Sequence, residues 1–536
     1  MATPPRFESW ASLALLVFLI GFTGCRSRHA VITYHDDNHR SGWNSEEKEL
    51  TYSKVSSAKF GLLYSVTLDD QVDAQPLVMP RVRVQGGSNP GEHEVVYVAS
   101  ESDTIYAIDA RTGTILLSRS LGSPVPAPLG CNNNGPNVGV NGTPVIDREH
   151  ETMYVIAYTI EGGNPTYRIH ALDLGTLADK IPSVVVSASH TLKNGSTFAF
   201  NATVQRQRPG MLLANGNVYA GFGSFCDFRA DVSRGWVLGW NAGSLSPLAA
   251  NQLNERLATS PSDFFLASVW MSGYGLAADD AGHIYFVTGN SDPTAGPTTY
   301  DGVYSIQESV VKLAPDLSKV EDLFTPSNVH PLDEADNDYG SGGATVLPEQ
   351  SGPTPRLLVA AGKDGRMFLL NRDNLGGYTA GGPDKVVGMQ NIGGCWCGQS
   401  FFRDHSDGAL RIVSSGGNNV ILWKLETSPS ANLTQVGISP TLPGAQDPGF
   451  LTSISSGKDG KEPIIWAVAR PNDPSPANVV LFAFKGEPSG GNLTQLFQGN
   501  AGTWPNTGGN ANLVPVVANG KVFVASNQQL AVFGLH

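Results

Sequence analysis

The chain has 536 residues, 61 of them Gly and 35 Pro, only 15% charged residues, and a formal net charge of −13. A polyanion partner is excluded by that balance, since phosphate binding needs clustered Lys and Arg to displace counterions. Sustained helical periodicity is missing after residue 25 and turn formers are frequent, which reads as an all-β chain.

The N-terminus, "MATPPRFESWASLALLVFLIGFTGCRSRH", has Arg6, an apolar stretch from Ala11 to Phe22 and small residues before Cys25. The stretch is too short to span a bilayer comfortably and reads as a cleaved export signal. "FTGC" resembles a bacterial lipobox, with Phe22 where Leu is usual, and implies a lipid on Cys25 and a place in the periplasm or cell envelope. Export puts Cys131, Cys226, Cys395 and Cys397 where disulfides persist, with three pairings open. Cys395 and Cys397 enclose only Trp396, so a direct bond closes a small ring, and "CWC" lacks the spacing of a zinc site.

Next comes "YHDDNHRSG", in which His35 and His39 stand four apart, but the stretch lacks helical periodicity and reads as a solvated loop. From Val95 the chain runs "VVYVASESDTIYAIDARTG", two apolar runs separated by a polar turn and closed by another. The unit returns as "ETMYVIAY…YRIHALDLGT", "GNVYAGFG…RGWVLGWNAGS", "GHIYFVTG…ESVVKLAPD", "RLLVAAGKDGRMFLLNRDN", "LRIVSSGGNNVILWKLE", "PIIWAVA…NVVLFAFKG" and "GKVFVASNQQLAVFGLH". Such a repeat cannot bury both faces alone, and radial stacking solves this, so the chain is expected to be an eight-bladed β-propeller. The last unit ends at His536 after its third strand, and "FGLLYSVTLD" from Phe60 is expected to supply the fourth and close the ring. Residues 1–24 are thus read as the export signal, 25–59 as an N-terminal extension and 60–536 as one propeller, with longer loops at 122–140, 187–206, 291–305 and 325–343.

"VYVASESDTIYAIDARTG", with the opening "YHDDNHRSGWNSEEKELTYSKVSSAKFGLLYSV", resembles the quinoprotein dehydrogenases, eight-bladed propellers that bind pyrroloquinoline quinone and calcium. The resemblance covers nearly the whole chain after the signal, and repeat-level similarity is shared with non-catalytic propellers. It implies calcium ligands at Asp227 in "GSFCDFRADVSRG", Asn290 in "YFVTGNSD" and Asp338 in "ADNDYGSGG", Asp227 being shorter than the family's Glu. Asp338 would take the alcohol proton and Lys363, in "AAGKDGRMFLLNRDN", would stand beside the quinone oxygens. Trp270 in "SVWMSGYG" matches the aromatic floor, and Asp73 in "VDAQPL" stands where the family has a cofactor-contacting Glu. The family's adjacent cysteines are represented by Cys131 alone, and the Arg after them by Val138, which removes a partner for a cofactor carboxylate. Trp396, in "GGCWCGQS", lies near another cofactor-contacting region and is a candidate substitute cap.

Asp and Asn also serve turns, which is the plain alternative for each calcium candidate, and "GSGG" after Asp338 reads as tight-turn backbone. No GxSxG, HExxH, P-loop or CxxCH motif is present, so electrons would leave to a separate acceptor. Two functions are therefore carried forward. One is a calcium- and pyrroloquinoline quinone-dependent dehydrogenase of an alcohol or sugar. The other is a non-catalytic envelope propeller that binds protein or glycan.

Overall fold

The computed structural model describes residues 1–2, 28–127, 135–225, 233–257, 266–291, 300–443, 448–469, 477–505 and 513–536. The turn that closes each repeat explains the signature of the repeat. In "AIDARTG" the Asp109 Oδ1 accepts the backbone N–H groups of Arg111 and Thr112, both at 2.9 Å, and Gly113 follows with φ 75°. Asp173, Asn241 and Asn371, each at the end of a third strand, and Asp316, three residues beyond one, accept the N–H two residues on in the same way.

Those turns join strands into eight sheets arranged as the blades of a propeller. Blade one is Leu77–Val84, Gly91–Ala99, Thr104–Asp109 and Ile115–Ser120, each antiparallel to the next. Thr104–Asp109 is buried almost throughout because neighbouring blades cover both its faces, whereas Ile115–Ser120, on the rim, alternates. That is why the inner repeat strands read as apolar runs and only the rim strands show period two.

The eighth blade closes the ring as expected. Lys521–Leu535 bends at Gln528, φ 54°; its first arm pairs with Val516–Ala518 and its second with Phe60–Gln71, from Phe60↔Leu535 to Thr67↔Gln529 with a register shift between Leu62 and Tyr64. Helix is confined, among the described residues, to Tyr52–Val55, Val329–Glu334 and short 3-10 turns.

The N-terminal extension is not a solvated loop. Residues 31–44 circle the channel and bond to the innermost strand of each blade in turn. Val31 exchanges bonds with Val78 in blade one, and the Ile32 carbonyl accepts from Ile146 in blade two. Asn38 donates to the Leu213 carbonyl in blade three and accepts from Ala278 in blade four. The carbonyls of His39, Ser41 and Gly42 then accept from Val346, Phe401 and Ile454 in blades five, six and seven. Trp43–Asn44 runs parallel to Thr452–Gly457, and Asn44 reaches the Val517 carbonyl in blade eight. An innermost strand is a sheet edge with unpaired backbone groups, and this strap satisfies them. His35 is consequently buried, stacked on Tyr34 with centroids 4.9 Å apart, while His39 pairs with Asp280 at 3.2 Å.

Candidate functional site

The candidate residues sit where chain segments enter the innermost strands or join second to third strands, so they gather at one end of the channel above the strap. Trp270 precedes the turn Met271–Gly273 that leads into blade four. Asn290 follows the blade-four strand Ile284–Val287, and Asp338 precedes the turn Tyr339–Ser341 that enters blade five. Lys363 lies between Leu357–Ala361 and Arg366–Asn371, and Trp396 lies before Ser400–Arg403 of blade six.

Five of these residues meet. The Lys363 Nζ is 2.5 Å from Asp338 Oδ2, 3.1 Å from Asp336 Oδ1 and 2.9 Å from the Asp336 carbonyl oxygen, so its three N–H donors are all engaged. The same ammonium lies 5.5 Å from the Trp270 ring centroid and 5.4 Å from that of Trp396. Burial alone would push Lys363 down, but Asp338 and Asp336 outweigh it and hold the ammonium above its ordinary pKa. Asp338 Oδ1 accepts the Asn290 backbone N–H at 2.8 Å, and Asn290 Nδ2 donates to Asp336 Oδ1 at 3.2 Å. Burial and the Asp338 charge raise Asp336 to about 6.

Glycines permit this crowding by close approach. A Cβ on Gly289 would stand 2.4 Å from Asp338 Oδ1, and one on Gly343 would stand 1.9 Å from the Tyr274 ring. In "GSGG" Gly340 and Ser341 lie in the turn Tyr339–Ser341, as the sequence suggested, and Gly340 and Gly343 also let Gly289 and Tyr274 approach closely, without a positive φ.

Asp73 stands in a second group. It accepts from Gln71 Nε2 at 2.6 Å and shares a hydrogen bond with Glu101, which accepts from the Gly139 N–H at 2.8 Å and from Asn141 Nδ2 at 2.6 Å. Arg206 Nε completes it by donating to Asn141 Oδ1 at 2.9 Å. Burial and the neighbouring Asp73 push Glu101 well above the usual carboxylate range. Glu101 lies in the opening repeat itself, "VASESDT", where it reads as one more polar turn residue. Glu308 was equally illegible. It is buried within a strand-like run, accepts the Tyr339 N–H at 2.5 Å, and is pushed well up by burial and then by Asp338 and Asp333.

Cys395 and Cys397 are bonded to each other and both are buried. The bond holds the short loop that carries Trp396, whose N–H donates to the Pro448 carbonyl at 3.0 Å. Cys131, Cys226 and Asp227 lie outside the described residues. Among the described residues no group of three or more His, Cys, Asp and Glu side chains is spaced to hold a metal ion. Val138 is buried in a bridge to Val125, so that position offers no cation.

No protein-family model and no curated protein sequence matches the chain. In fold it is similar to the quinohemoprotein alcohol dehydrogenase of Comamonas testosteroni, with TM-score 0.60 and 14% identity over 94% of this chain and 80% of that one. It is also similar to a quinohemoprotein alcohol dehydrogenase of Pseudomonas putida HK5, with TM-score 0.59 and 14% identity over 95% and 80%. A europium-containing methanol dehydrogenase gives TM-score 0.57 and 12% identity over 95% and 98%. At such identities the likeness is one of fold.

Proposed function

We propose that this chain is an exported dehydrogenase of the quinoprotein kind, which binds pyrroloquinoline quinone at the loop-bearing end of its channel and oxidises an alcohol or sugar. The observation that carries the reading is Lys363, held between two indoles and bonded to Asp338. A planar, polycarboxylate quinone fits this donor set. Trp270 and Trp396 offer aromatic faces, Lys363 offers a positive charge, and Arg208, 5.3 Å from the Trp270 centroid, offers another. Calcium fits less fully. Asn290 and Asp338 bring adjacent oxygen donors, but Asp338 Oδ2 already faces the Lys363 ammonium.

The cofactor, when bound, supplies the two-electron acceptor that takes hydride from the carbinol carbon. The rest falls to the chain. Every Lys363 donor is engaged, so a ligand oxygen that takes one must displace an acceptor, and displacing Asp338 leaves Oδ2 open. Asn290 still holds Oδ1, which keeps the carboxylate oriented to receive the hydroxyl proton. Ligand binding at Lys363 thus uncovers the base. The chain carries no CxxCH haem-attachment motif, so a separate carrier would take the electrons.

The test is a titration of the purified protein with pyrroloquinoline quinone, with and without calcium, followed by absorbance. Stoichiometric binding is expected, together with turnover of an alcohol or sugar by a dye acceptor. Asp338→Asn should abolish that turnover while the fold, read by circular dichroism, is kept. Absence of binding sinks the reading, and unchanged turnover in Asp338→Asn sinks the role of that residue. The buried Val138, which brings no cation to the site, favours the second reading of a non-catalytic envelope propeller for protein or glycan. An envelope-extract pull-down lost on shortening residues 325–343 would support it.

A further inference from the structure

Trp270, Asp338 and Trp396 stand on three separate chain segments, the entries to blades four, five and six. Segments of this kind lie outside the strand ladders, so their mutual spacing depends on ties between them. Ser341 makes a tie on each side. Its carbonyl accepts from Ser272 Oγ at 2.6 Å, and its own Oγ donates to the Cys395 carbonyl at 2.6 Å. Two hydrogen bonds in series thus run from the turn after Trp270, through the turn after Asp338, to the residue before Trp396. Serine hydroxyls commonly bond the backbone of their own turn, whereas these reach 69 and 54 residues along the chain.

The segments on both sides need holding. Met271 and Ser272 have φ 41° and 49°, a conformation that non-glycine residues keep only where their surroundings over-determine it. The bond from Ser272 to Ser341 is one such restraint, beside the Gly273 N–H on the Trp270 carbonyl at 2.9 Å and the Tyr274 N–H on the Met271 carbonyl at 2.8 Å. On the other side the Cys395–Cys397 bond makes the loop around Trp396 one unit, so a tie to the Cys395 carbonyl acts on the indole as well. Between them, the Ser341 N–H closes the turn on the Asp338 carbonyl at 3.3 Å, and the Lys363 N–H donates to the same carbonyl at 3.0 Å. Both serines are buried, so water does not replace a bond that is lost.

We propose that Ser341 is a positioning residue, which holds the Trp270 and Trp396 indoles in place about the Lys363 ammonium so that a planar ligand meets aromatic faces already set. The proposal rests on the pyrroloquinoline quinone reading and deepens it, because affinity for the ligand is then governed in part by a residue that does not touch it. Faces fixed before binding spare the ligand the cost of ordering them.

The experiment titrates wild-type protein, Ser341→Ala, Ser272→Ala and Ser453→Ala with pyrroloquinoline quinone, following tryptophan fluorescence and ligand absorbance. Ser453 is the control, a buried tie between blades seven and eight whose Oγ donates to the Pro515 carbonyl at 2.5 Å. Ser341→Ala is expected to weaken binding by on the order of 10-fold, the worth of one buried hydrogen bond, and Ser272→Ala to weaken it in the same direction. Ser453→Ala should lower the urea midpoint as Ser341→Ala does and yet bind like wild type, which separates positioning from loss of stability. Circular dichroism reports whether Ser341→Ala keeps its fold; if it does not, Ser272→Ala decides by the same comparison with Ser453→Ala. Wild-type binding, with Ser341→Ala binding as tightly as Ser453→Ala, overturns the positioning role alone. No binding by wild type overturns the functional reading and this assignment together.

Discussion

The strap below the channel and the loops above it both bury arginine, and they treat it differently. In the strap, Arg40 is fully buried and donates to the carbonyls of Tyr34 at 2.7 Å, Asp37 at 3.1 Å, Met211 at 3.2 Å and Leu276 at 2.8 Å, and to Thr33 Oγ1 at 2.8 Å. Burial lowers its pKa to about 10, which leaves it charged at neutral pH. In the loops, the Arg208 guanidinium lies 5.3 Å from the Trp270 ring centroid and Lys363 faces carboxylates. A cation whose donors are met by backbone carbonyls is a structural fastener, whereas one met by carboxylates beside aromatic rings can exchange a carboxylate for a ligand's charge.

Three changes test the contrast, from the largest effect to the smallest. Arg40→Met should strand the carbonyls of Leu276, Met211 and Tyr34 and loosen the strap from blades three and four. The expected loss is on the order of 4 kcal/mol, read from the urea midpoint. A loss under about 1 kcal/mol would mean that the strap is not fastened there. Lys363→Met removes one partner of a buried pair, but Asp338 keeps the Asn290 N–H, so a loss of about 2 kcal/mol is expected together with failure to bind pyrroloquinoline quinone. Undiminished binding would show that Lys363 belongs with the fasteners.

The smallest effect concerns His35, whose folded pKa is lowered by burial to about 3 from an ordinary 6.5. Between those values the unfolded chain takes up a proton that the folded one refuses. Stability present above pH 6.5 is therefore lost as the pH falls, at up to about 1.4 kcal/mol per unit. His35→Asn, which tolerates the φ of 51° found there, should flatten the acid limb by about one proton. An unchanged limb in urea melts at pH 5 and 6.5 would mean that His35 takes up its proton alike in the folded and unfolded chain.

Much of the fold was legible because it is built from local chemistry repeated. "AIDARTG" and "ALDLGT" encode the same Asx turn, and the alternation in "FGLLYSVTLD" marks a strand that lacks a partner nearby in sequence. Of the candidate site, the order of Trp270, Asn290, Asp338 and Lys363 was legible through resemblance. Glu101, Glu308 and Arg208 were not. Each sits in a stretch whose local pattern is that of an ordinary strand or turn, and its meaning lies in residues tens of positions away. The burial of His35 was illegible for the same reason, since "YHDDNHRSG" has the composition of a surface loop and its partners are the edges of five separate sheets.

The sequence by itself determined the number of blades, their turns and the closing strand, because strand periodicity and turn formation are set by neighbours a few residues apart. Only the tertiary structure decided that the N-terminal extension laces the ring, that Cys395 bonds Cys397, and that Arg208 and Lys363 meet on Trp270. Those outcomes depend on bringing distant blades round a common axis, and charge, burial and hydrogen-bond demand act through space without regard to separation along the chain.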